Sequence, residues 1–402
     1  MSLFDVIVIG GGAAGCFAAG VAAEQGARVL LLEKNRTCGA KLLITGKGRC
    51  NLTNAETDPR QFCAAFGRQG KALLTALYAF SVEQTIAFFE ERGLPLQQER
   101  GGRIFPARGG APEVRKVLLR YLTDSQVTLV TDCEVLGIES RHDRITGVHT
   151  SQGVFRARCF IMATGGQSYP ETGSTGDGYN WARSLGHRLV APQPALVPLR
   201  LACDWTAELL DLNLKNVSLR AWSGSRLLAE RFGEMFFTRR GVGGPIVLDM
   251  SAVVRDALPT GAVTLTLDLK PAVAEEVFDR RLQRELAEHS NRDFRNSLDN
   301  LLPKRLIPLL VRLSGIPPEK KCHSITRAER DKLLQLFKKW RLQVTGIDTP
   351  ERAIITSGGV DLADIDMRTL VSKKMGNLYF AGEIIDLDGP TGGYNLQLCW
   401  ST

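Results

Sequence analysis

The feature that most constrains this chain lies in its first 33 residues. Phe4-Asp-Val-Ile-Val-Ile9 is a short β-branched run that leads straight into Gly10-Gly-Gly12-Ala13-Ala14-Gly15, then a small-residue stretch to Gly26. A second apolar run, 28–32, ends on Glu33, twenty-three residues after Gly10. The pattern predicts strand, tight turn, helix, parallel strand and acid, with the helix N-terminus facing a pyrophosphate. Gly10 permits the turn, Gly12 lets the backbone approach the phosphates, and Gly15 lets the helix pack closely on the strand. Glu33 suits adenosine ribose hydroxyls, which argues against a 2′-phosphate there. With strand, helix and acid in register, the motif is far more specific than three spaced glycines.

The same fingerprint serves NAD and FAD, so its company decides. After Glu33-Lys34, Gly39-Ala-Lys41 and Thr45-Gly46-Lys47-Gly48-Arg49-Cys50-Asn51 form a second glycine-rich, basic loop suited to a longer, flavin-bearing ligand. Residues 160–166 read as a strand ending in Ala163-Thr164-Gly165, able to return the chain to the cofactor's edge. Near residue 380, a strand delivers Gly382-Glu383, whose carboxylate suits ribityl hydroxyls. Gly392-Gly393-Tyr394-Asn395-Leu396 then opens a last helix whose N-terminal amides suit the flavin N1–C2=O edge. A ligand of FAD's length, held from both ends of the chain, fits these segments together.

Other classes are excluded by composition. The nine cysteines are scattered, with no Cys-x-x-Cys, so a zinc ribbon and a dithiol reductase are unsupported, and a reduced, cytoplasmic protein without disulfides is expected. The five histidines show no ligand spacing, so no metal is assigned. The stretch 4–32 is broken by glycines, Glu24 and Arg28, so no transmembrane span or membrane partner is expected. No second strand–Gly-x-Gly-x-x-Gly–helix exists, so NAD(P)H, where it serves as electron donor, has to dock without a Rossmann domain of its own.

Along the chain, Ser81-Val-Glu-Gln84 is a capping box and Pro112 suits a helix start. From about residue 191 the pattern changes to short strands: 214–228, 234–238, 246–250 and 262–269. Residues 272–342 then read as helical. The expected fold is α/β: a discontinuous Rossmann-like FAD-binding domain (1–190 and 355–402) with an inserted β-barrel-like domain. That β-rich substrate domain covers 191–270 and 343–354, and itself carries a basic helical subdomain over 271–342.

Thr45–Asn54, Gly166–Tyr179, Phe237–Pro245, Asn300–Arg305, Thr356–Val360, Phe380–Glu383 and Gly392–Asn395 carry a resemblance that runs nearly end to end. The chain resembles the aminoacetone-oxidase and bile-acid-reductase-like family of NAD(P)/FAD-dependent oxidoreductases. The resemblance implies FAD as cofactor and a closing helix longer than the sequence carries. Three positions depart from the family pattern: Arg239 stands where histidine is usual, Gly243 where serine is common, and Lys47 where a small residue is usual.

The expected FAD-binding set is Gly10, Gly12, Ala13, Ala14, Gly15, Glu33, Lys34, Lys41, Gly46, Lys47, Gly48, Arg49, Cys50, Asn51, Val135, Ala163, Thr164, Gly165, Gly382, Glu383, Gly392, Gly393, Tyr394, Asn395 and Leu396. For catalysis the candidates are Tyr169, as proton donor or carbonyl hydrogen-bond donor, and Arg239, as an anion or carbonyl holder. Ser174, Thr175, Asp177 and Tyr179 share the middle loop with Tyr169.

Three functions stay open. The first is oxidation of a small amine or reduction of an activated C=C bond in a small molecule. The second, which the resemblance also raises, is reduction of uridine to dihydrouridine in ribosomal RNA. The third is a non-catalytic flavin sensor. Charge bears on the second. The chain carries 51 Lys and Arg against 43 Asp and Glu, a net +8. Residues 269–345 alone hold 17 against 10, so nearly all the excess lies in the helical insert, as a phosphate-backbone partner requires.

Overall fold

The computed structural model describes residues 4–402. Its described residues divide into two compact units, one formed by 4–194 with 353–402 and the other by 195–352.

The first unit is built on a seven-stranded sheet ordered 365–366, 371–372, 378–380, 157–162, 4–9, 29–32 and 128–130. Phe4–Ile9 pairs in parallel with Ala157–Met162 on one side and Val29–Leu32 on the other. Leu378–Phe380 joins in parallel beyond Ala157–Met162. Strands covered on both faces need apolar residues throughout, and all four residues of Val29–Leu32 are buried. The opening helix, Ala13–Glu24, is made of small residues because neighbours press close: a side chain on Gly20 would meet Tyr121 at 2.1 Å. Both helix-start signals are realised. Ser81 and Gln84 form the capping box of Val82–Glu91, and Pro112 sits in the first turn of Ala111–Asp124. Strands Leu189–Ala195 and Ile355–Val360, where the chain leaves and re-enters this unit, pair with each other.

The second unit contains a closed six-stranded barrel ordered 199–201, 241–243, 226–238, 213–223, 263–268 and 340–347. Its strands alternate as a barrel wall must: Val217, Leu219 and Ala221, then Val263, Leu265 and Leu267, then Trp340, Leu342 and Val344 are all buried. Helices Glu275–Glu288, Ile307–Ser314 and Arg327–Lys338 share one apolar core with this wall, through Phe278, Leu310 and Phe337 among others.

Two expected strands differ. The run 214–228 is cut by a turn, leaving a long hairpin of Asn213–Ser223 and Arg226–Thr238. The segment 246–250 is not a strand: Pro245–Leu248 is helical, followed by helix Ser251–Ala257. Pro245 sets a helical φ and needs no N–H partner in a first turn, and that outweighs the β-branched residues after it. All nine cysteines are unpaired. Among the described residues no single helix is long and apolar enough to cross a membrane, and no cluster of side chains suits a metal ion.

Candidate functional site

The site is built from the glycines outward. Gly10 has φ +103°, and a side chain there would meet the Ala163 carbonyl oxygen at 2.6 Å. On Gly15 it would lie 1.8 Å from the Gly10 carbonyl oxygen. Both positions are glycine because the protein itself fills the space. Gly12 differs: its φ is an ordinary −78°, and a side chain would meet nothing within 4 Å. Protein packing gives no reason for glycine there, whereas close approach of a ligand's phosphates does. Gly12 caps the opening helix without a side-chain acceptor, so the helix's first amides remain open to such a ligand.

Glu33 is buried and fixed: its Oε2 accepts from the Gly11 amide at 2.8 Å, and its Oε1 from the amide and Nδ2 of Asn35, both at 2.8 Å. A carboxylate has about four acceptor sites, so these three bonds orient Glu33 and leave capacity for a ribose hydroxyl. Lys34 donates to Thr175 Oγ1 at 2.6 Å and Asp177 Oδ2 at 2.8 Å, tying the first strand pair to the middle loop. Val135 begins strand Val135–Arg141 and is buried two residues beyond Cys133, whose amide bonds to the Glu33 carbonyl.

Residues far apart in sequence meet at Glu383. Lys41 Nζ lies 2.7 and 3.0 Å from its two carboxylate oxygens and donates to Ser168 Oγ at 2.7 Å. The Thr356 amide donates to Glu383 Oε1 at 2.9 Å. Gly165 and Gly166 run alongside: a side chain on Gly166 would collide with Thr356 Oγ1 at 2.3 Å. Gly382, at φ +73°, rests on Ala14 of the opening helix. Ser168 and Thr356 are the members that sequence reasoning missed. Both lie within segments that carry the resemblance, which was the available signal.

The loop 45–51 has a left-handed course, with φ of 56°, 59°, 81° and 58° at Gly46, Lys47, Gly48 and Cys50. Burial pushes the Cys50 thiol up to about 12, so it stays protonated and serves packing rather than attack. Arg49 pairs with Glu99 and stacks on Phe105 at 4.0 Å, which commits its guanidinium away from a phosphate role. The closing helix, Tyr394–Ser401, docks on the residues after this loop: a side chain on Gly393 would lie 2.3 Å from the Thr53 backbone, and Trp400 Nε1 donates to the Leu52 carbonyl at 2.9 Å. Gly393, at φ +101°, caps this helix without a side-chain acceptor. Asn395 is occupied otherwise, its amide group bonding the Gly389 amide and the Gly389 and Pro390 carbonyls. Tyr394 packs its ring on Phe62 at 4.7 Å, and Leu396 lies partly buried against the core of the opening helix.

Three buried polar atoms, Asn51 Oδ1, Thr164 Oγ1 and the Tyr179 hydroxyl, have no protein partner among the described residues. Buried polar groups are rarely left so. Together with the open approach at Gly12 and the two uncapped helix starts, the first two make the residues present fit FAD.

The catalytic candidates fall on different units. Tyr169 is half-buried, has φ +54°, and starts the turn Pro170–Thr172. Burial, then the neighbouring Glu171, pushes its phenol up, so it is fully protonated at neutral pH. Tyr179 is buried in the core with its hydroxyl unpartnered. Thr175 and Asp177 are committed to Lys34. Arg239 lies exposed in the turn between barrel strands Arg226–Thr238 and Gly241–Gly243, its carbonyl accepting from Thr206 Oγ1.

Over residues 269–345 the charge is partly neutralised: Arg281, Arg295, Arg312, Lys320, Lys321, Arg330, Lys338 and Lys339 are in ion pairs.

Known proteins place this site in a family. Residues 4–402 match the HI0933-like protein Rossmann domain. The chain is 30% identical to a ribosomal RNA dihydrouridine synthase of Escherichia coli (strain K12), over 100% of this chain and 96% of that protein. It is 31% identical to a 3-dehydro-bile acid delta(4,6)-reductase of Clostridium scindens, over 98% and 96%. Among solved structures, a 3-ketosteroid delta1-dehydrogenase from Sterolibacterium denitrificans superposes with a TM-score of 0.55 at 14% identity, covering 100% of this chain and 98% of that one, a likeness of fold alone. The chain belongs to the HI0933-like family of FAD-binding Rossmann proteins and is an FAD-dependent oxidoreductase.

Proposed function

We propose that the protein reduces a carbon–carbon double bond conjugated to a carbonyl, with uridine in ribosomal RNA as the substrate. The observation that carries this reading is the pair of whole-chain relatives, one named for dihydrouridine formation and one for saturating the double bonds of a 3-dehydro bile acid. Both names describe saturation of a carbon–carbon double bond, which takes a hydride at one carbon and a proton at its neighbour, with a conjugated carbonyl able to take up the charge. Neither is named for amine oxidation.

When bound, FAD would supply the hydride chemistry, with electrons from an outside donor such as NAD(P)H. The chain's residues do the rest. Gly10, Gly12 and the first amides of Ala13–Glu24 hold the pyrophosphate, Glu33 the ribose, and Lys41 with Glu383 the ribityl end. The first amides of Tyr394–Ser401, uncapped by any side chain, would favour negative charge on the reduced cofactor. Tyr169, protonated at neutral pH, gives the proton to the substrate carbon.

The test is anaerobic turnover with NADH or NADPH and protein-free bacterial ribosomal RNA, followed by nucleoside digestion and mass spectrometry. A uridine that gains two hydrogens is the expected product. A second reading, a small conjugated ketone as substrate, is favoured by the bile-acid reductase relative. Turnover of a 3-keto-4-ene steroid with no change in the RNA would establish that reading instead.

A further inference from the structure

The three buried polar atoms without a partner are not equivalent. The Thr164 and Tyr179 hydroxyls rotate and either donate or accept, so they demand no particular neighbour. Asn51 Oδ1 only accepts, so what it lacks is a donor, and none of the described residues brings one. The backbone on both sides of Asn51 is pinned, which fixes where its side chain starts. The Cys50 amide donates to the Thr45 carbonyl at 3.0 Å, the Leu52 amide to the Ile104 carbonyl at 2.9 Å, and the Leu52 carbonyl accepts from Trp400 Nε1 at 2.9 Å. Cys50 and Leu52 are fully buried. Across the loop, a side chain on Gly46 would press at 3.3 Å on both the Asn51 backbone nitrogen and the Phe105 ring.

The place of Asn51 narrows which donor it awaits. Two residues on, the Thr53 backbone fills the space that a side chain on Gly393 would need, at 2.3 Å. Asn54 Nδ2 donates to the Gly392 carbonyl at 3.1 Å. Two residues of chain span at most about 7 Å, so Asn51 is held close to the start of Tyr394–Ser401, whose open amides suit the N1–C2=O edge of the flavin. The next atom round that ring is N3, and N3–H is the single N–H that an oxidised isoalloxazine carries. The other hydrogens that FAD offers are the hydroxyls of its ribose and ribityl chain, where the carboxylates of Glu33 and Glu383 serve, and the adenine amine at the far end.

We propose that Asn51 holds the imide edge of the flavin, Oδ1 accepting from N3–H and Nδ2 donating to a carbonyl beside it, and so selects a cofactor whose N3 is unsubstituted. The inference rests on FAD as cofactor and is indifferent to which double bond is reduced, so an absence of dihydrouridine leaves it standing. An oxygen with no protein partner adds nothing to the apo fold, whereas a buried acceptor left unmet beside the bound cofactor weakens binding.

The experiment titrates apo-protein, wild type and Asn51→Ala, with FAD and with 3-methyl-FAD, in which a methyl group replaces the N3 hydrogen. Binding is read by flavin fluorescence. Wild type is expected to bind FAD about tenfold or more tighter than 3-methyl-FAD. Asn51→Ala, which makes room for the methyl group, is expected to bind FAD about tenfold more weakly and to hold the two flavins within about twofold of each other. Its apo melting temperature should match wild type. Equal affinity of wild type for the two flavins overturns the proposal, and that arm needs no variant. Retention of the full wild-type preference by Asn51→Ala overturns it as well. A midpoint potential displaced in Asn51→Ala by the equivalent of about tenfold between redox states assigns the oxygen to N5–H instead, which only the reduced ring carries. If wild type binds both flavins alike and the defect of Asn51→Ala is confined to the KM for substrate, Asn51 reads the imide of a substrate uracil and the flavin contact falls.

Discussion

In the unit made from both ends of the chain, Lys34 and Lys41 each bind at least two side chains, and those partners lie more than a hundred residues away. In the barrel-and-helix unit, the cations of 269–345 pair with acids or stay unpaired on the surface, as Arg280 and Arg284 do. The first arrangement fixes one internal geometry, because moving either partner leaves a half-buried charge. The second tolerates change and acts outward. The cofactor site of the first unit is therefore the part held by packing, whereas exposed cations of the second unit are free to change.

That contrast can be broken most forcefully at Gly15. Gly15→Ala places a carbon against the Gly10 carbonyl oxygen, so we expect destabilisation by about 3 kcal/mol or more in thermal or urea unfolding. Unchanged stability would mean that the turn is looser than described. Tyr169→Phe probes chemistry without packing. We expect kcat to fall about 10²-fold with the rate of FAD reduction by NAD(P)H unaltered, and equal turnover would remove Tyr169 as proton donor. Gly12→Ala is the counterpart of Gly15→Ala: apo stability should stay within about 0.5 kcal/mol, while FAD affinity drops about tenfold or more, read by flavin fluorescence. A parallel loss of stability would show that Gly12 serves the fold after all.

The smallest expected effect lies in the second unit. Hydrogen bonds from Lys320 and from the Thr326 amide hold Glu329 at about 2, below its ordinary 4.5. Its folded value is depressed, so its contribution is complete above about pH 4.5 and is lost as pH falls toward 2. Circular dichroism should show Arg327–Lys338 fraying over that window. Thr326→Ala, which removes the other half of the capping box, should cost about 1 kcal/mol at neutral pH.

Local constraints were legible in the sequence, and long-range pairings were not. Gly10, Gly15 and Gly393 could be read because positive φ or close backbone approach leaves glycine no substitute. The capping box at Ser81 is written within four residues. By contrast Lys41 and Glu383 are 342 residues apart, and nothing local to either announces the other. Ser168 and Thr356 read as ordinary loop residues until that pair is in place. The segment 246–250 reads as a strand because Ile246 and Val247 favour strands on their own, yet Pro245 before them starts a helix. The charge excess of 269–345 was visible by counting, but which cations remain unpaired depends on partners such as Asp279 and Arg330, brought together only by folding.

The pairing of Leu189–Ala195 with Ile355–Val360 has a consequence for how such a protein diversifies. The strands on either side of the inserted unit lie against each other, and a side chain on Gly358 would strike the Ala191 carbonyl oxygen at 2.6 Å. To the flavin-binding unit, everything between is a loop closed by a local clasp. Closing a flexible loop costs only about 0.6 kcal/mol more for each doubling of its length. Insertions, deletions or wholesale replacement beyond the clasp therefore add little closure cost to the flavin-binding unit, so length between the two strands can change while the clasp keeps its register.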